Sequence, residues 1–197
     1  MNPNIADLVQ RIRLLEHELE VQLALTRADL HLRVEGGKIE FEQAVRLRHE
    51  QMKKRLLHYV IGARPLILVT ALVIYSLIIS IVLLDLFVSL YQAICFLVYG
   101  IPKVKRSVYL IFDRRYLAYL NALEKLNCAY CSYANGVVEY TREVASLTEQ
   151  YWCPIKHARK LVASHPRYSS FADFGDAEGY EKELEALREQ VRKLRDE

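Results

Sequence analysis

Four cysteines in 197 residues are too few for the disulfide framework that holds many small secreted chains. The N-terminus, Met1-Asn-Pro-Asn-Ile-Ala-Asp, has no short apolar core and no small-residue cleavage site, so no secretory signal is expected there. The chain has no Ser-His-Asp arrangement, no glycine loop suited to cradling phosphate and no H-E-x-x-H pair. The usual starting points for hydrolysis and nucleotide chemistry are therefore missing. Helix-turn-helix, RNP and zinc-knuckle patterns are missing too, and a net charge of +3 is too weak to argue for nucleic acid as a partner. Acidic residues nearly vanish from one long stretch, where residues 65–101 hold Asp85 alone.

That stretch, PLILVTALVIYSLIISIVLLDLFVSLYQAICFLVYGI, reads as a transmembrane segment, because the ~30 Å hydrocarbon core of a bilayer needs roughly 20 apolar residues. It is long for one crossing: a straight helix of this length reaches ~55 Å. In one arrangement Pro65 to about Leu84 spans the bilayer and the remainder forms an interfacial extension, with Asp85, Ser89 and Gln92 on one polar face. In the other, a tight helical hairpin turns near Asp85. Leu84-Asp85-Leu86-Phe87 offers no Gly, Pro or Asn for a turn, so the single span is preferred. Asp85 is then either an intramembrane carboxylate with a function, such as part of a translocation path with Gln92, or an ordinary interfacial residue. Basic residues flank both ends: Lys53, Lys54, Arg55 and Arg64 before, and Lys103, Lys105, Arg106, Arg114 and Arg115 after. Anionic headgroups attract such clusters at ~1 kcal/mol per charge, which makes the lipid bilayer the first expected partner.

The charged arms read as helices. Leu8, Ile12, Leu15 and Leu19 start a seam within a helix over residues 5–34. Gly36-Gly37 breaks it, and a second helix over 40–61 completes an N-terminal αα-hairpin occupying 1–64. A juxtamembrane helical domain over 102–163 is expected to hold an amphipathic helix at 104–126, a second at 133–150 and a third beginning at Cys153. Glu139, Glu143 and Glu149 read as a solvated face, and His58 and His165 have no evident partner. Residues 164–179, rich in Ser, Pro, Asp and Gly, read as a flexible linker. The tail, 180–197, has a short heptad of Tyr180, Leu184, Leu187, Val191 and Leu194, too brief to hold a coiled coil without a partner. The expected fold is therefore all-α and membrane-anchored, with protein or self contacts through the amphipathic and heptad helices.

The most chemical feature is Cys128-Ala-Tyr-Cys131 followed by Cys153-Pro-Ile-Lys-His157. Three cysteines and a histidine are the right number and type of ligands for one tetrahedral ion, and short spacings bring ligand pairs together at small entropic cost. Structural zinc on Cys128, Cys131, Cys153 and His157 is the leading expectation. An iron or iron–sulfur centre, a redox dithiol at Cys128/Cys131 and cysteines acting as small apolar residues stay open. No acid–base machinery accompanies the cluster, so the expected role is a non-enzymatic scaffold, with a membrane redox protein as the alternative.

The stretches LDLFVSLYQAICFLVYGIPKV and NCAYCSYANGVVEYTREVASLTEQYWCPIKHA, within residues 65–160, resemble a group of uncharacterised bacterial inner-membrane proteins. The resemblance implies an inner-membrane location and favours the four ligands as one module; the cysteine usage, which suits a metal site in a reducing compartment, goes with a cytoplasmic Cys/His domain. It implies no activity.

Overall fold

A computed structural model describes residues 3–29, 32–35, 38–41, 43–53 and 65–194. The chain is helical, and one of its helices is long and apolar enough to cross a membrane. It divides into two compact units: Met1–Ile74 with Phe112–Ser132, and Tyr75–Ile111 with Tyr133–Glu197.

In the first unit, α1 (Pro3–Asp29) carries the expected seam, and Leu8, Ile12, Leu15 and Leu19 are all exposed. The chain then pairs β1 (Leu32–Glu35) antiparallel with β2 (Lys38–Phe41). The register sets Leu32 against Phe41 and Val34 against Ile39, with Arg33 against Glu40 and Glu35 against Lys38. Leu-Arg-Val-Glu and Lys-Ile-Glu-Phe alternate apolar and charged residues with the period of a strand, not of a helix. The expected αα-hairpin is therefore corrected to two helices joined through a short β-ladder. The second helix, α2 (Gln43–Gln51), is shorter than the expected 40–61, whose residues 54–61 lie outside the described ones. β2 lies close to a 3₁₀ turn at Asp113–Tyr116.

Helix α3 starts at Pro65, is α-helical to Tyr91, widens into a π-helical turn over Gln92–Phe96 and finishes at Leu97–Tyr99. Asp85 sits mid-helix, which removes the hairpin reading. Gly100 stops the helix in the left-handed conformation (φ 71°), and the Ile101 N–H returns to the Phe96 carbonyl at 2.9 Å. That six-to-one bond marks a Schellman ending, in which glycine avoids the Cβ penalty and buried Ile101 packs near Phe96.

Residues 104–121 are mostly irregular, with one α-helical turn, α4 (Arg106–Tyr109), and the 3₁₀ turn at Asp113–Tyr116 in place of the expected helix. Helix α5 (Ala122–Trp152) then runs unbroken through Cys128 and Cys131, replacing the two expected helices with one of 31 residues. Its start is a capping box: the Glu124 N–H donates to Asn121 Oδ1 (3.0 Å) and the Asn121 N–H to Glu124 Oε2 (2.9 Å).

The core lies in the second unit. Phe96, Ile101, Tyr140, Val144, Leu147 and Val191 are buried together, ringed by Val88, Tyr91, Tyr99, Val104, Tyr109 and Tyr151. Fully burying one such aliphatic or aromatic side chain is worth about 1.5–3 kcal/mol. Helix α6 (Ala177–Lys193) begins at Asp176, whose carboxylate accepts from the Gly179 N–H at 2.9 Å. It buries Leu187 and Val191, while Gln150 Nε2 donates to the Leu187 carbonyl (3.1 Å) and Arg188 Nε to that of Tyr151 (2.9 Å). Leu187 and Val191 of the heptad thus find their partner within their own chain.

The expected flexible linker, 164–179, is also built into this unit. Ile155 and Ala172 form a parallel bridge, and Phe171 and Ala172 are buried. Arg167 pairs with Glu143 at 2.6 Å and donates to Ser146 Oγ at 2.7 Å, while His165 Nε2 lies 3.0 Å from Glu149 Oε2. Pairing to α5 supplies the order that a Ser/Pro/Asp/Gly-rich composition does not suggest. These pairs also engage two of the three carboxylates read as a solvated face; Glu139 alone of the three is exposed.

Candidate functional site

Within the second unit, α3 carries three polar residues on one face, at the spacing read from the sequence. Asp85 and Gln92 are buried, at 7 % and 8 % exposure, and Ser89 is half-buried between them. Each has found a partner. Arg106, brought round by the Gly100 turn and α4, donates from Nε to Asp85 Oδ1 at 3.0 Å and from Nη2 to Oδ2. Tyr133 of α5 donates to Oδ2 at 2.8 Å, and Ser89 Oγ to Oδ1 at 3.4 Å.

A carboxylate has about four lone-pair sites, and four donors here occupy them. Asp85 is therefore a saturated acceptor held by a forked guanidinium, the geometry in which Arg outperforms Lys. It offers no free site for a passing ion, and the arrangement is that of a clamp.

The clamp continues along α3. Gln92 Oε1 accepts the Val104 N–H at 3.0 Å, and its amide donates to the Val104 carbonyl (3.4 Å) and to the Tyr140 hydroxyl. That hydroxyl lies 3.4 Å from Ser89 Oγ, and Tyr91 OH lies 3.1 Å from Thr148 Oγ1. Gln92 acts as a side-chain substitute for a strand partner, holding both backbone groups of Val104. Burial raises the Tyr133 phenol above its ordinary value, reinforced by its bond to Asp85, so it stays a donor. The bond to Asp85 likewise raises the Arg106 guanidinium.

Gly136 on α5 lets the returning segment come close: a Cβ there would meet the Tyr109 carbonyl oxygen at 2.6 Å and Leu110 Cδ2 at 2.9 Å. Arg106 and Tyr133 were not singled out as partners of Asp85, nor Tyr140 as a partner of Gln92. The available signal was the lone acid of the apolar run with a basic cluster just beyond it.

The sequence-derived metal ligands are distributed differently. Cys128 and Cys131 lie on the first-unit part of α5, one turn apart on one face. Cys153 follows the end of the same helix, its N–H still bonded to the Glu149 carbonyl at 2.9 Å. His157 lies beyond, its N–H donated to Tyr168 OH and its ring stacked on that tyrosine, with centroids 6.3 Å apart. Helical spacing sets Cys128 beside Cys131 in the first unit, while Cys153 and His157 belong to the second. None of the four cysteines is in a disulfide, and among the described residues no three His, Cys, Asp or Glu side chains gather as a metal site.

A dithiol pair gains reactivity at a helix N-terminus, where unpaired N–H groups stabilise thiolate. Cys128 and Cys131 sit well inside α5, past its first turn, and lack that help. No protein-family model, curated protein or solved structure matches this chain.

Proposed function

We propose that this chain is a membrane-anchored, non-enzymatic interaction protein. Its anchor is the first part of α3, and its second unit is a helical platform fastened to that helix by the Asp85–Arg106 clamp. The observation that carries the reading is the change in α3 at residue 85. From Val69 to Leu84 the helix is uncharged and mostly exposed, with Ala71, Tyr75, Ile78 and Ile81 half-buried along one face, as lipid contact allows. From Asp85 onward one face is polar and covered by the chain itself. Placement in a bacterial inner membrane is favoured by the resemblance noted from the sequence, and the basic residues at both ends of the run favour an anionic bilayer without choosing an orientation. The exposed seam of α1 is a second surface for a protein partner.

A zinc clasp using all four ligands belongs to this proposal only if α5 opens between Cys131 and Cys153. The anchor is tested by expressing the full chain and extracting membranes with alkaline carbonate. The expected result is retention in the pellet, release by detergent, and release by carbonate when Ile79 and Leu83 are both changed to Lys. Full carbonate release of the unmodified chain overturns the anchor.

A further inference from the structure

We infer that the outer edge of the returning segment, residues 103–111, is a docking surface for anionic phospholipid headgroups, an inference that rests on the membrane-anchored reading and names the lipid selected. The segment has two sides. On the inner side Gln92 holds both backbone groups of Val104, and half-buried Tyr109 and Leu110 lie where Gly136 leaves them room. On the outer side Lys103, Lys105, Ser107, Val108 and Ile111 are exposed, Val108 and Ile111 by more than half. Residues 101–111 contain Lys103, Lys105 and Arg106 and no acid.

Asp85 fixes the height of this edge. Pro65 to Leu84 supplies the roughly 20 residues that the hydrocarbon core requires, so Asp85 stands where the headgroups begin. Arg106 grips Asp85 through both Nε and Nη2, which holds α4 at the same level. That pairing also uses the Arg106 charge, and the surplus is left on Lys103 and Lys105. Of the α5 acids that act on Tyr109, Glu143 is tied to Arg167, and Glu139 is exposed beside an exposed Arg142. The outer edge is therefore positive and apolar at once, at the boundary between lipid and water.

Charge complementarity selects the occupant. Water solvates the two ammonium groups but leaves Val108 and Ile111 uncovered. A zwitterionic lipid covers the apolar pair but offers each phosphate with a cation already beside it. An anionic lipid does both: its phosphate meets a lysine, and its acyl chains begin just below, where Val108 and Ile111 enter the headgroup–chain boundary. A lysine stem can lie along that apolar surface while its ammonium reaches the phosphate. Val108 and Ile111 stand three residues apart, so both point outward together.

The experiment uses the full chain with Cys95, Cys128, Cys131 and Cys153 changed to Ser, in phosphatidylcholine vesicles. Val108→Cys, Ile111→Cys, Ile79→Cys and Val162→Cys each carry a thiol-linked fluorophore. Ile79 reports the span, and Val162 is exposed past the C-terminal end of α5. A small fraction of nitroxide-labelled phosphatidylglycerol, or of phosphatidylcholine with the same label next to the headgroup, serves as quencher. The expected result is quenching at 108 and 111 that is at least about threefold stronger with phosphatidylglycerol. Ile79 should be shielded from an aqueous quencher, and Val162 should be untouched by either lipid. Lys103→Gln/Lys105→Gln should bring the two lipids to parity at 108 and 111, with circular dichroism unchanged. Equal quenching by the two lipids, none by either, or selectivity that survives the lysine changes overturns the docking surface; so does equal quenching at Val162. With Ile79 still shielded, those outcomes leave the anchor standing. Exposure of Ile79 to the aqueous quencher overturns both.

Discussion

Replacing Arg106 by Ala tests the clamp most directly. Asp85 would keep its charge at a site 7 % exposed with only the Tyr133 and Ser89 hydroxyls as donors. Removing one partner of a buried ion pair costs about 3–5 kcal/mol, because the remaining charge is stranded. The Arg106 side chain is 47 % exposed, so water enters where it stood; the expected loss is nearer 2 kcal/mol. For a chain of this size that is a fall of about 4–8 °C in melting temperature. Thermal unfolding followed by circular dichroism in detergent reads it. Asp85→Leu removes the stranded charge, and the double variant Asp85→Leu/Arg106→Ala should recover about 1–2 kcal/mol relative to the sum of the singles. The reasoning fails if Arg106→Ala lies within about 0.5 kcal/mol of the unmodified chain, the range of an ordinary surface substitution. It fails equally if the cycle shows no coupling.

Gly136→Ala forces the new Cβ against the Tyr109 carbonyl and should cost about 1–3 kcal/mol in denaturant unfolding. Arg167→Ala with His165→Ala removes the ties to Glu143 and Glu149; limited proteolysis should then cut between residues 157 and 172 several-fold faster while helix content holds. Lys156 lowers the Asp173 carboxyl by a hydrogen bond at 2.8 Å. Its contribution is therefore present above the unfolded carboxylate value near ~3.9 and lost as pH falls through the lower folded value. Asp173 is largely exposed, so the effect stays below about 1 kcal/mol, and Lys156→Gln should abolish it in melts between pH 2 and 6. Elemental analysis of purified protein and of Cys153→Ser should give equal zinc; loss of one equivalent in the variant would show that α5 opens to build the four-ligand site.

The apolar helix, its end at Gly100 and the polar face of Asp85, Ser89 and Gln92 were legible because each is a local pattern: hydropathy, a helix-stopping glycine, and i, i+4, i+7 spacing. The choice of Arg106 among several nearby cations was not, because a 21-residue return depends on the Gly100 turn and on the space above Gly136. Cys128 and Cys131 fell between the helices expected at 104–126 and 133–150, since C-x2-C suggested a pair of metal ligands. The local signals pointed the other way: Asn121-x-x-Glu124 is a helix start, and Leu, Glu, Lys and Ala after it are strong helix formers. The ladder of β1 and β2 was passed over because Gly36-Gly37 was read as a break between two helices. Residues 164–179 were misleading for a different reason. Their composition suits a linker, and only contacts some twenty residues away, Arg167 with Glu143 and His165 with Glu149, hold them in place.

The widened turn at Gln92–Phe96 bears on how this chain should be aligned with any relative. A π-helical turn accommodates one residue more than α-helix needs for the same advance, while the helix on either side keeps its phase. A chain lacking one residue between Gln92 and Phe96 would therefore retain the Asp85 clamp upstream and the Gly100 stop downstream. A one-residue gap within an otherwise continuous hydrophobic helix would then be genuine insertion history, and a gapless alignment forced through it would rotate half the helix onto the wrong face. Deleting Ala93 should therefore restore plain α-helix over this stretch while keeping the Asp85 clamp and the Gly100 stop.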